Sequence, residues 1–305
     1  MNTPAKVGAF VAALVVIFGA AAALGNAVGP VGSGETTTMS HEADDAMGDM
    51  TGASDELPGG LQVAENGYRL ALAETRQQPG ERAPITFWII GPDGEPLTQY
   101  TTLHDKRLHL IVVRRDLDGF QHVHPTLSAD GTWSTEVALD PGQWRVFADF
   151  DPSGPDPQVT LGADLAVAGS STAKALPTPS RTARVDGYTV SLEGQPVAGA
   201  DSELTLTVER DGRPVADLQP YLAAYGHLVA LRDGDLAYLH VHPDGEPGDG
   251  RTEPGPGITF HTSFPSAGSY RLYLDFKHQG TVRTAEFTVD VPAGDGHDNT
   301  NGHGH

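Results

Sequence analysis

LHLIVVRRDLDGFQHVHP at residues 108–125 and GHLVALRDGDLAYLHVHP at residues 226–243 align with each other without a gap. Each is an apolar run, a turn built on Asp and Gly, and a second short run. That is the pattern of a β-hairpin. The match extends outward in both directions. Upstream, ITFWII from Ile85 and LTLTVE from Leu204 lead into Asp93-Gly94 and Asp211-Gly212, each followed two residues on by Pro96 or Pro214. Downstream, WRVFADF at residues 144–150 matches YRLYLDF at residues 270–276. Both copies open on Gly-Tyr, at Gly67-Tyr68 and Gly187-Tyr188. Self-similarity of this kind marks an internal duplication.

Helical periodicity is sustained nowhere in the copies, and 37 Gly with 23 Pro favour many short strands joined by turns. The expected fold is all-β: two tandem Ig-like or cupredoxin-like antiparallel β-sandwiches of about seven strands each. They occupy residues 61–168 and 183–292, joined by a linker rich in Ser, Thr, Pro and Ala at residues 169–182. One hydrophobic helix is expected ahead of them.

That helix is read from VGAFVAALVVIFGAAAALG, residues 7–25, which follows Lys6 and carries no charge. At about 1.5 Å per residue it approaches the thickness of a bilayer core. Residues 1–28 are therefore a signal peptide or an uncleaved membrane anchor, and the remainder is exported: anchored on the extracytoplasmic face or secreted. Residues 29–60 form a tether whose acidic stretch cannot bury enough apolar surface to fold. It holds Met39, His41, Met47 and Met50, soft and borderline ligands that suit copper. Residues 293–305 form a Gly/Asp tail with His297, His303 and His305, a composition that captures divalent metal loosely.

Acids outnumber bases 40 to 19, for a formal charge of −21. Such a surface repels phosphate backbones and argues against nucleic acid as a partner. With no cysteine in the chain, disulfides, Cys-ligated zinc and thiol catalysis are excluded.

The histidines carry the chemistry. His109, His122 and His124 in the first copy correspond to His227, His240 and His242 in the second, spaced by thirteen residues and then two in both. Residues two apart on a strand share a face, about 7 Å apart. A hairpin in the expected register sets His109 against His124, and His227 against His242, with Cβ atoms about 5 Å apart. Three imidazoles converging on one patch suit Zn(II) or Cu(II). Asp149 and Asp275 are paired between copies and are candidates either to orient a ligating imidazole or to pair with Arg145 and Arg271. The competing reading makes all six structural histidines at a core edge, bonded to backbone, since Ile111, Val113 and Phe120 share their face.

On the His-x-His-Pro hairpin in an exported Gly/Pro-rich sandwich, the stretch from Leu61 to Val291 resembles bacterial cell-envelope proteins linked to heavy-metal handling. It also resembles the small YtkA-like, cupredoxin-related domains. The resemblance implies envelope location and copper or zinc binding. The missing Cys ligand departs from true cupredoxins, so blue-copper electron transfer is not implied. The expected function is non-enzymatic: an envelope protein that buffers or hands over copper or zinc to an envelope metal-handling partner. The alternative is an adhesion or interaction module with structural histidines. A zinc hydrolase ranks last, because no general base has a fixed place beside the triad.

Overall fold

A computed structural model describes residues 57–294, except for the side chains of His240 and His242. The hydrophobic helix, the Met39–His41–Met47–Met50 segment and the His-rich tail lie outside the described residues. Both repeats fall within one unit, Asp55–His305.

The first repeat carries β1 (Ala64–Glu65), β2 (Tyr68–Leu72), β3 (Arg76–Gln77), β4 (Gly80–Ile90), β5 (Tyr100–Thr101) and β6 (Leu108–Arg114). It continues with β7 (Gln121–Val123), β8 (Thr126–Leu127), β9 (Trp133–Leu139), β10 (Gly142–Pro152) and β11 (Val159–Val167). The second repeat carries β12 (Thr182–Val185), β13 (Tyr188–Glu193), β14 (Asp201–Arg210), β15 (Arg213–Pro214) and β16 (Gly226–Arg232). It ends with β17 (Tyr238–Pro243), β18 (Gly257–Ser263), β19 (Gly268–His278) and β20 (Thr281–Val291). The described residues contain no helix, as the turn-rich composition requires.

In the first repeat a sheet β1-β2-β4-β9-β8 faces a sheet β3-β11-β10-β6-β7, to which β5 adds through β10. The strands pair antiparallel except β3 with β11, where a two-residue edge strand runs parallel. In the second repeat β17 pairs with both β16 and β18, so the strands from β12 to β20 form one continuous nine-stranded sheet.

Each repeat has its own core. Phe87, Trp133, Trp144 and Phe150 anchor the first, and Tyr188, Phe260, Phe276 and Phe287 the second. A third apolar cluster lies between them: Ile111, Val113, Leu117 and Phe147 from the first repeat against Val229, Leu231, Leu236, Tyr238 and Tyr273 from the second. This explains why β6 is buried at every position. Leu108, Leu110 and Val112 point into their own sandwich, and Ile111 and Val113 point into the seam. Burying such a side chain contributes about 1.5–3 kcal/mol relative to exposure.

The seam has the pattern of a local two-fold. Phe120 stacks on Tyr273 with centroids 3.9 Å apart, and Tyr238, the counterpart of Phe120, packs on Phe147, the counterpart of Tyr273, at 5.6 Å. The tip of each hairpin is clamped by an arginine gripping an aspartate with two N–H groups, Arg114 on Asp116 and Arg232 on Asp235. The Gly234-Asp235 turn is wider than two residues. The ladder stops at Leu231↔Tyr238, and Leu236 takes φ +63°, yet the register is the one the spacing predicts. The chain entering the first repeat also lies at the seam: the Tyr238 N–H donates to the Gly59 carbonyl, and Arg145 Nη2 donates to that of Gly60. Gly60 has φ +74°, and a Cβ there would come within 2.5 Å of the Phe147 ring.

Candidate metal centre

The β6–β7 pairing Leu110↔Val123 and Ile111↔His122 makes His109 and His124 the next opposed positions. The three rings of His109, His122 and His124 stand 4.9–5.2 Å apart by centroid, and one nitrogen from each lies within 4.8 Å of the others. His227, from β16 of the second repeat, abuts this triad rather than standing in a distant site. Its ring is 6.2 Å from His109, 6.3 Å from His122 and 5.1 Å from His104. One histidine of the second repeat, His227, therefore meets the first repeat's set at the seam. For His240 and His242 only the backbone is described; they oppose Val229 and His261.

The outer nitrogens are held by neighbours. His122 Nδ1 lies 2.9 Å from Asp275 Oδ2, a carboxylate of the opposite repeat. His109 Nε2 lies 3.3 Å from the Leu103 carbonyl and its Nδ1 lies 3.0 Å from His122 Nε2. His227 Nε2 lies 2.8 Å from the Leu222 carbonyl. Both carbonyls belong to tight turns, His104-Asp105 and Leu222-Ala223, in which two consecutive residues take positive φ. Leu and Ala adopt that conformation rarely, so the surrounding fold must enforce it beside the histidines.

These contacts impose a proton count. A neutral imidazole has one N–H and one lone pair. With Asp275 ionised, His122 Nδ1 must carry the proton, leaving a lone pair on Nε2. If His109 then donates from Nε2 to Leu103, two lone pairs face each other across 3.0 Å. If it donates from Nδ1 instead, its Nε2 lone pair faces the carbonyl. A cation at the inner nitrogens removes the conflict and keeps both outer bonds. The buried Nε2 of His124 makes no hydrogen bond among the described residues.

A proton is a poor choice for that cation. Burial, reinforced by neighbouring His122, pushes His109 down to about 4. Burial, with His122 and His109 adding to it, pushes His124 down to about 2. Burial takes His227 down to about 3, against the opposing effect of the Leu222 carbonyl. Beside the triad, His104, His109, His122, Asp149, His227 and Tyr238 help to line a cavity of about 20 Å³. That is room for one water or one ion.

The family described as a domain of unknown function, DUF8832, matches residues 62–165 and again residues 183–293. The chain belongs to this family. No curated relative matches it. Among solved structures it is similar to the Escherichia coli adhesin FdeC, with 19% identity over 75% of this chain and 65% of the adhesin chain, and a TM-score of 0.25. It is also similar to domains 5-6 of the S-layer protein SbsC, with 11% identity over 73% of this chain and 96% of that one, and a TM-score of 0.22. The fibronectin(III)-like modules of Clostridium thermocellum CbhA share 9% identity over 73% and 94% of the two chains, with a TM-score of 0.19. The chain spans less than two thirds of the adhesin's length, and superpositions this loose say nothing of function.

Within the DUF8832 repeats Asp275 bonds to a histidine, and the two arginines pair with other acids. Arg145 pairs with Asp164 and Arg271 with Glu286. Asp149 accepts from Gln158, Thr160 and the Tyr238 hydroxyl, while Asp275 accepts from His122 and Thr284. The sequence offered each aspartate either as a carboxylate orienting a ligating imidazole or as a partner of Arg145 or Arg271. The exchange across the seam had no signal in the spacing. His278 is structural: it is buried, bonded to the Tyr188 hydroxyl and Asp217.

Proposed function

We propose that this DUF8832 protein is an exported, non-enzymatic metal-binding protein that holds a Zn(II) or Cu(II) ion through His109, His122 and His124. The observation that carries the reading is the set of mutually close ring nitrogens, with the outer nitrogens of His109 and His122 already engaged and His124 Nε2 buried without a partner among the described residues. Three imidazoles without a thiolate match the preferences of those two ions. The 20 Å³ cavity beside His109 and His122 is too small for a substrate, since small-molecule pockets run to about 300–1,000 Å³. Export rests on the uncharged run at residues 7–25. Buffering, or handover to an envelope metal-handling partner, would enlist Met39, His41, Met47 and Met50 for copper.

A second reading is supported by the bonds to Leu103, Leu222 and Asp275: the histidines join backbone to backbone and repeat to repeat in a β-sandwich interaction module. Titrating residues 61–292 with Zn(II), Cu(II) and Cu(I) separates the two. An ion bound by the parent and lost from a variant with His109, His122 and His124 all changed to Ala supports the metal reading. A folded parent that binds nothing leaves the interaction module.

A further inference from the structure

We infer that the centre is shared: Asp275 of the second repeat selects the ring nitrogen that His122 of the first repeat presents, so that ion binding and docking of the repeats form one linked equilibrium. This rests on the metal reading above and extends it to the regulation of the same site.

Three observations converge. Asp275 and His122 are 153 residues apart in sequence, their side chains are only 5% and 4% exposed, and their polar atoms are 2.9 Å apart. The other carboxylate oxygen of Asp275 accepts from Thr284 Oγ1, which fixes the group in place. The seam also sets the register that brings the pair together. Phe120 lies two residues before His122 and Tyr273 two before Asp275, and these two aromatic rings stack at 3.9 Å with an interplanar angle of 7°. Alternation along strands carries the next residues on the same faces, His122 and Asp275, into contact.

The consequence follows from the chemistry of imidazole. A carboxylate on Nδ1 holds the proton there and leaves Nε2 as the ligand, facing His109 Nδ1. When the repeats separate, His122 loses that partner and its ring is free to rotate or change tautomer. The ion then binds the docked form more tightly than the separated one, and by reciprocity the ion stabilises docking by the same factor.

The test uses the full chain and Zn(II), with affinity read by chelator competition and the ring nitrogens read by nitrogen NMR of labelled histidine. Asp275→Ala should weaken zinc by about 10–100-fold, and Asp275→Asn, which keeps an acceptor oxygen, should recover most of that loss. In the zinc-bound wild type, His122 should coordinate through Nε2 and carry its proton on Nδ1. Should Asp275→Ala fail to fold, this wild-type pattern decides alone: coordination through Nδ1 overturns the inference. Unchanged zinc affinity in Asp275→Ala, with loss in His124→Ala, would also overturn it and leave a centre owned by the first repeat. A wild type that binds no zinc removes both the centre and its coupling.

Discussion

In the first repeat the strand Gln121–Val123 stops one residue short of His124, and the chain turns away to pair Thr126–Leu127 with β9. In the second repeat the equivalent strand runs on through His242 to Pro243 and pairs with His261 and Phe260, closing the two sheets into one. The same His-x-His-Pro motif thus sits in two backbone settings. Leaving the ladder puts His124 where its ring meets His109 and His122, with its Nε2 buried and without a partner among the described residues. Equal spacing in a duplicated chain shows a shared origin for two hairpins. It does not give them the same backbone setting, because a short extra pairing in one copy continues the ladder that the other copy leaves.

The largest expected effect tests how symmetric the seam is. Phe147 and Tyr273 are counterparts, 0% and 1% exposed, and each packs on an aromatic of the other repeat. Changing either to Ala should cost about 3–5 kcal/mol in denaturant unfolding. A cost near zero for one of them would break the two-fold description. Next comes metal binding. His124→Ala should weaken zinc by about 100-fold, close to 3 kcal/mol, while His242→Ala, made in a continuous ladder, should cost less than about tenfold. Equal losses would erase the difference between the hairpins.

Acidity sharpens the comparison at the level of single rings. A free imidazole titrates near 6.5, whereas His109 is held at about 4 and His227 at about 3. On acidification the unfolded chain takes up protons first, so metal-free stability is full above 6.5 and declines as pH falls toward the folded values. Between pH 7 and 5 the loss should be about 2 kcal/mol for each ring. His109→Gln and His227→Gln should each flatten the profile by a similar amount in unfolding measured across that range. A profile unchanged by one substitution would mean that ring is not buried at the seam. The smallest effect belongs outside the seam. Arg82 and Glu136 pair on an outer face with side chains 80% and 50% exposed, so Arg82→Ala should shift stability by less than about 1 kcal/mol.

The duplication, the all-β class and the gathering of His109, His122 and His124 were legible in residues 108–125 and 226–243. Strand alternation and hairpin register are local properties, written every two residues and readable without the rest of the chain. The local pattern also showed that Ile111 and Val113 share the face of His109, but it could not say what covers that face. The partner of His122 was equally hidden: Asp275 lies in the other repeat, and the sequence offered it only as a carboxylate for some ligating imidazole or as a partner of Arg271. What buries that face, and which carboxylate holds which ring, depends on how two complete sandwiches pack. That packing comes from apolar side chains meeting across the seam, a non-directional attraction that leaves no spacing for the sequence to display.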